Sequence, residues 1–165
     1  MLKKPIIFLN IDGVLISENY ILKNSNDAKA LYTKIDNNYY MNFEKSKIEL
    51  IKQLIDNTNA CIVIVSYWCE NNDLTKIKKI FEKYQLSDKI IDIVPYTPKK
   101  SGYRVKSWIN KKSDNFPYIN NKNFVIIDND ETGILENKHI KCNSECGLTE
   151  DDISSSIKLL KKQRW

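Results

Sequence analysis

Histidine occurs once in these 165 residues, and the four cysteines, Cys61, Cys69, Cys142 and Cys146, form no CxxC pair. A structural zinc site takes four nitrogen or sulfur ligands, so His139, Cys142 and Cys146 are not expected to build one. Cys61 opens an apolar strand and reads as a small buried filler. Apolar runs are short: none approaches the roughly 18 residues that cross a bilayer. The N-terminus also lacks the apolar core and small-residue cleavage site of a secretory signal. The expectation is a cytoplasmic protein with no membrane partner. Nor is charge concentrated. The formal balance is +5, but the lysines are scattered, and runs such as Lys76–Lys79 and Lys158–Arg164 read as solvated helix faces. Such a field still steers an anionic substrate inward.

With 42% hydrophobic and 28% charged residues, the composition is that of a globular protein and not of a disordered one. The length suits one domain, residues 1–165, with a full core.

The stretch Pro5 to Leu15 organises the rest. Ile6, Ile7, Phe8 and Leu9 form an unbroken apolar run, the pattern of a strand buried on both faces of a parallel sheet. Asn10 and Asp12 follow at its C-terminal end, where open α/β sheets bind ligands. Residues at i and i+2 of an extended segment point the same way, so both oxygens can face one ion or small ligand. Gly13 then lets the backbone turn.

Residues 16–43 are polar, rich in asparagine and tyrosine, and without sustained period. They are expected to hold a short helix near Asp27 to Tyr32 and a small flap whose aromatics pack beside the sheet or serve the core. Ile48, Ile51, Leu54 and Ile55 recur at helical spacing within residues 43–57. Ala60 to Val65 is a second apolar strand, and it ends at Ser66. Leu74, Ile77, Ile80 and Phe81 mark a helix over 73–84, Lys89 to Val94 a third strand, and Arg104, Val105, Trp108 and Ile109 a further helix. Asn123 to Ile127 repeats the opening theme, an apolar strand that ends in Asp128, Asn129, Asp130 and Glu131. Residues 138–142 suit a fifth short strand. Thr149 and Asp152 approximate a capping box for a last helix, whose C-terminus carries Lys161, Lys162 and Arg164.

Asn10-Ile11-Asp12-Gly13-Val14-Leu15 resembles the first signature of the haloacid dehalogenase (HAD) superfamily, with one departure: Asn10 stands where the family has its nucleophilic aspartate. Ser66 matches the second motif, a hydroxyl that donates to a phosphoryl oxygen. The third motif is a basic residue, for which Lys100, Arg104 and Lys99 compete in that order. The fourth is the acidic turn, with Asp128 as direct metal ligand and Asp130 or Asn129 behind it. The order of motifs implies a three-layer, Rossmann-like α/β fold: a parallel five-stranded sheet flanked by helices, with minimal or no cap. Gly147 to Ile153, Ser66-Tyr67-Trp68 and Thr97-Pro98 resemble a narrower HAD group, found alone or as a domain of Swiss Army Knife RNA repair proteins.

The resemblance implies a Mg²⁺-dependent phosphomonoesterase working through an aspartyl-phosphate. Its metal would be held by the side chain at position 10, the Asp12 carbonyl and Asp128, with Asp130 nearby. Asp12 would be the general acid and base, and Ser66 with the third-motif cation would grip the phosphoryl oxygens. Lys99, Lys100, Tyr67 and Trp68 lie where a substrate would touch them, although the two aromatics serve equally as cover for the core. An amide cannot attack phosphorus, because its lone pair is delocalised. Asn10 therefore implies either a phosphatase inactivated at its nucleophile, by engineering or otherwise, or a native relative that binds phosphate or a partner without hydrolysis. The short inserts leave the site open to a bulky phosphorylated end, such as a nucleotide or polynucleotide.

Overall fold

The computed structural model describes residues 2–161. In chain order the elements are β1 (Lys4–Leu9), α1 (Glu18–Lys23), α2 (Ala28–Leu31), β2 (Tyr32–Ile35), β3 (Asn38–Met41), α3 (Lys45–Thr58), β4 (Cys61–Ile64), α4 (Leu74–Glu82), β5 (Ile90–Ile93), α5 (Ser101–Lys112), β6 (Ile119–Asp128), β7 (His139–Lys141) and α6 (Glu150–Lys161). Five strands form one sheet in the order β5-β4-β1-β6-β7, and every neighbouring pair is parallel. This is the three-layer α/β architecture that the apolar runs predict.

The alternation along β1 divides the core. Ile7 and Leu9 pack on the face covered by α3, α4 and α6, together with Ile51, Leu54, Ile77, Phe81 and Ile153. Ile6 and Phe8 enter the other layer, under Val105 and Trp108 of α5. There Phe8 meets Trp108 and Phe124 edge-on, each at a centroid distance of 5.5 Å, a geometry that places ring edges against ring faces. Both faces of β1 are buried, which is why its sequence does not alternate with polar residues.

Caps fix the helix ends. The Asp73 carboxylate accepts from Lys76 N at 2.9 Å at the start of α4. Thr149 and Asp152 form the expected reciprocal box: Thr149 N donates to Asp152 Oδ2 (2.9 Å) and Asp152 N to Thr149 Oγ1 (3.3 Å). Lys161 ends α6, whereas Lys162 and Arg164 of the basic tail lie outside the described residues. Among the described residues no helix is long and apolar enough to cross a membrane.

Residues 16–43 hold more order than their composition suggests. The short helix appears as α2, capped by Asp27, but the following residues fold into an antiparallel hairpin, β2 with β3. Asp36 and Asn37 turn it with φ of 48° and 67°, the two left-handed residues of a type I′ turn. The hairpin is fastened to α4. Asp36 pairs with Lys79 at 2.7 Å, Lys83 Nζ donates to Thr33 Oγ1 (2.9 Å) and Asn42 Oδ1 (2.6 Å), and Phe43 stacks on Tyr84 at 4.7 Å. Strand β6 also begins earlier than its apolar run, at Ile119, because Lys4 pairs with Ile119 before a register break brings Ile6 opposite Phe124.

Candidate active site

Register alone brings the first, second and fourth motifs together. Leu9 is the partner of Ile64 on one side and Ile127 on the other. The ladder continues past it, Asn10 N donating to Ile127 O (3.0 Å) and Val65 N to Leu9 O (2.8 Å). Asn10, Ser66 and Asp128 thus leave the sheet side by side at the C-terminal rim, with the central strand between its neighbours. Gly13 lets the turn close against the fourth motif: its φ is 73°, and a Cβ there would lie 2.6 Å from the Asn129 side chain.

At the centre, Asn10 Nδ2 faces three oxygens: Asp128 Oδ1 at 2.9 Å, Asn129 Oδ1 at 2.9 Å and the Asp12 carbonyl at 3.3 Å. Its own Oδ1 accepts from Ile11 N at 2.8 Å. Asn129 is held from behind by Ser144, its nitrogen 2.9 Å from Ser144 Oγ. Half a turn of the Asn129 amide keeps the Ser144 contact and instead aims its nitrogen at the Asp12 carbonyl (2.9 Å) and Asp128 Oδ1 (3.2 Å). In either arrangement an amide N–H group lies among the oxygens that would otherwise face a cation. Asn129 makes this inner contact. Asp130 is exposed, and its carboxylate accepts from Glu131 N at 3.2 Å while its backbone N donates to Asp128 Oδ1 at 3.1 Å.

Whether the set fits Mg²⁺ can be judged from these distances. The ion bonds oxygen at 2.0–2.1 Å in octahedral geometry, so adjacent ligands lie about 2.9 Å apart. The Asn10 amide nitrogen stands at 2.9 and 3.3 Å from Asp128 Oδ1 and the Asp12 carbonyl. An amide turned to present Oδ1 in its place sets a hard oxygen beside Asp128 Oδ1 and the Asp12 carbonyl, at 2.9 and 3.3 Å. The residues fit the ion in that rotamer, at the loss of the Ile11 N–H bond, and disfavour it in the present one. Among the described residues no group of three or more His, Cys, Asp or Glu gathers as an alternative.

The Asp12 carboxylate is held by a residue from the second motif. Trp68 Nε1 donates to both of its oxygens at 3.1 Å. Crowding by neighbouring atoms raises the Asp12 carboxyl above the ordinary aspartate range, and the Trp68 bond works against that rise. Trp68 is half-buried against Phe43 and Tyr40, at centroid distances of 5.6 and 6.0 Å. Asn72 Nδ2 holds its carbonyl, and Tyr40 Oη donates to Asn72 Oδ1 at 3.0 Å. The indole belongs to the core and at the same time orients an acid. Nothing in the sequence announces this pair, which are 56 residues apart in the chain. Tyr67 is exposed and packs edge-on against Tyr96 at 4.9 Å. Ser66 is buried, and its Oγ accepts from Trp68 N at 3.2 Å, leaving its proton for another oxygen.

The three third-motif candidates occupy different places. Lys100 is the exposed N-cap residue of α5, with its stem beside Gly133 and its charge acting on Glu131. Lys99 is exposed. Arg104, one turn into α5, is half-buried, with Nε and Nη1 buried and without hydrogen-bond partners. Its guanidinium lies over the Tyr96 ring at 5.3 Å. Burial pulls its pKa down, and among the charges opposing that the field of Asp128 is foremost. The start of α5 is pinned beneath the acidic turn, Gly102 N donating to Thr132 O at 3.0 Å. A Cβ on Gly102 would come within 2.3 Å of Ile134 O.

The family described as HAD domain in Swiss Army Knife RNA repair proteins matches residues 6–153. This chain belongs to that family. Comparison with curated proteins finds none that matches. The matched span runs from β1 into α6 and so contains Asn10, Ser66, Arg104 and Asp128. As a HAD domain the chain carries a phosphatase-like function directed at a phosphorylated substrate.

Proposed function

We propose that this HAD domain is a magnesium-dependent phosphomonoester site of the aspartyl-phosphate type, inactivated at its nucleophile by Asn10, whose substrate is the phosphorylated end of a nucleotide or polynucleotide. The carrying observation is the convergence of Asn10 Nδ2, the Asp12 carbonyl and Asp128 Oδ1 within 3.3 Å. Asn10 (in its oxygen-inward rotamer), the Asp12 carbonyl and Asp128 would hold Mg²⁺. The bound ion would neutralise charge on the phosphoryl oxygens.

The protein groups divide the remaining work. Ser66 donates its free proton to a phosphoryl oxygen, and Arg104, with two buried N–H groups still unpaired, supplies the cation that developing negative charge requires. Asp12, with a raised carboxyl steadied by Trp68, is suited to protonate a leaving oxygen. Missing is an anionic oxygen at residue 10, so phosphate is gripped and not transferred. The nucleic-acid end is favoured by the family's description and by the +5 charge.

Asn10→Asp tests the reading directly. With Mg²⁺ that variant should hydrolyse a generic aryl phosphate and form a beryllofluoride adduct, whereas the unaltered chain should do neither. Silence from the variant in both assays would remove the phosphatase reading.

A second reading, a native phosphate- or partner-binding module, is favoured by the amide N–H groups that face Asp128 Oδ1 and the Asp12 carbonyl in both Asn129 arrangements. On that reading the unaltered chain binds phosphorylated ends without added metal, and chelator leaves its affinity unchanged.

A further inference from the structure

Beside the rim, between α5 and the loop that follows β5, lies a groove of about 360 Å³. Its lining includes Lys99, Arg104, Lys111 and Lys112 and contains no carboxylate. Asp92, which touches the groove residues Trp108 and Lys112, is buried and already accepts from Trp108 Nε1 at 2.7 Å, with Lys112 Nζ at 3.6 Å. Among the described residues Lys99 and Lys111 have no ion-pair partner. Four cations around a groove whose lining supplies no carboxylate make a positive local potential that favours anions.

Position and chemistry narrow the choice of anion. Arg104 lines this groove, and its buried, unpartnered Nε and Nη1 are the groups proposed above for the phosphoryl oxygens, so one residue links the groove to that reading. From Arg104 to Lys111 the helix rises seven residues, roughly 10 Å. That is the span of about three nucleotides at roughly 3.4 Å each in a helical strand. Aromatic faces accompany the charges: Tyr103 lines the groove and is 47% exposed, and Tyr67, packed on Tyr96 beneath Arg104, is 56% exposed. A basic track with open aromatic rings is the chemistry that holds single-stranded nucleic acid without reading its sequence.

We infer that the α5 groove binds the nucleotides adjoining a terminal phosphate, so that the substrate of this domain is a single-stranded polynucleotide end and not a free nucleotide. The inference rests on the reading of a phosphorylated end held at the rim. Lys99 and Lys111 contact backbone phosphates, and Tyr103 stacks on a base.

The experiment is fluorescence anisotropy on the full chain with single-stranded RNA hexamers, phosphorylated or hydroxyl-ended, competed by a mononucleotide and by a phosphopeptide of similar length. The phosphorylated hexamer should bind at least about 10-fold tighter than the mononucleotide. Lys111→Glu should cost about 10-fold and lower the salt slope by about one, and Tyr103→Ala should weaken binding with the slope unchanged. Lys158→Glu, the same charge change on α6 across the sheet, should have less than about a twofold effect. A hexamer no tighter than the mononucleotide, an equal loss in Lys158→Glu, or a phosphopeptide that competes equally would overturn the groove. Equal binding of phosphorylated and hydroxyl-ended hexamers, with the length preference kept, would instead sink the phosphoryl reading and leave the groove standing. Unchanged melting temperatures in the three variants separate lost contacts from lost folding.

Discussion

Asn10 Nδ2 and Asp128 Oδ1 lie 2.9 Å apart as donor and acceptor. In Asn10→Asp the same two positions become facing carboxylates, which repel unless a proton or a cation sits between them. The variant without metal should therefore be less stable than the parent by about 1–3 kcal/mol. Mg²⁺ should restore it, because a ligand that binds only the folded state adds about 2.7 kcal/mol at a concentration 100 times its Kd. Thermal melts with EDTA and with Mg²⁺ check this. The metal-dependent rise should be several degrees larger in the variant than in the parent. Equal rises would mean that residue 10 does not face the ion.

Asp12 offers a test by pH. A carboxyl raised in the folded protein holds its proton more tightly there than in the unfolded chain. The folded state is favoured at low pH, and that advantage is lost as pH climbs from the ordinary aspartate range through the raised value. Asp12→Asn keeps an acceptor for Trp68 and removes the charge. Its melting temperature should exceed the parent's at pH 7, and the gap should close as the pH falls below the ordinary aspartate range. A gap of constant size would place the effect in packing.

Trp68→Phe removes the donor to Asp12 while keeping a ring against Phe43. In the Asn10→Asp background its turnover should fall by about 10-fold, the size of one hydrogen bond to a charged group. The pH at which the acid works should move upward, because the bond that favours the ionised form is gone. A fall in turnover with an unmoved pH profile would assign the indole to substrate contact instead.

Gly102→Ala should cost about 1–3 kcal/mol, the usual penalty for forcing a methyl into filled space. The obstacles are the backbone oxygens of Ile134 and Thr132, 2.3 and 2.5 Å from the added carbon, and backbone cannot swing aside as a side-chain tip can. Urea melts measure the loss. A neutral result would mean that α5 slides along the acidic turn at little cost.

The legible parts of this chain were those set by local pattern. The apolar runs at Ile6–Leu9, Ala60–Val65 and Phe124–Ile127 gave strands because each is buried on both sides, and parallel pairing then lined up their polar ends. The Thr149–Asp152 box could be read because its partners are three residues apart. The hairpin escaped because Tyr32 to Met41 is largely solvent-facing, so its two strands carry no clean apolar alternation. Its only local marker is Asp36-Asn37, a pair that tolerates positive φ. Nearness to the start of α5 favours Lys100 over Arg104 in the sequence. The buried, unpartnered nitrogens of Arg104 follow from how α5 docks on the acidic turn, which no local spacing records.

The hairpin beside the rim is tied to α4 and to the residues flanking it: Asp36 to Lys79 within the helix, Thr33 to Lys83 just after it, and Tyr40 to Asn72 just before it. A gate would have to release all of these attachments together, and the indole that steadies Asp12 would lose its backing in the same movement. With the hairpin held in place, the approach left to the proposed substrate is along α5, so the nucleotides behind a terminal phosphate would lie against Lys99, Tyr103 and Lys111.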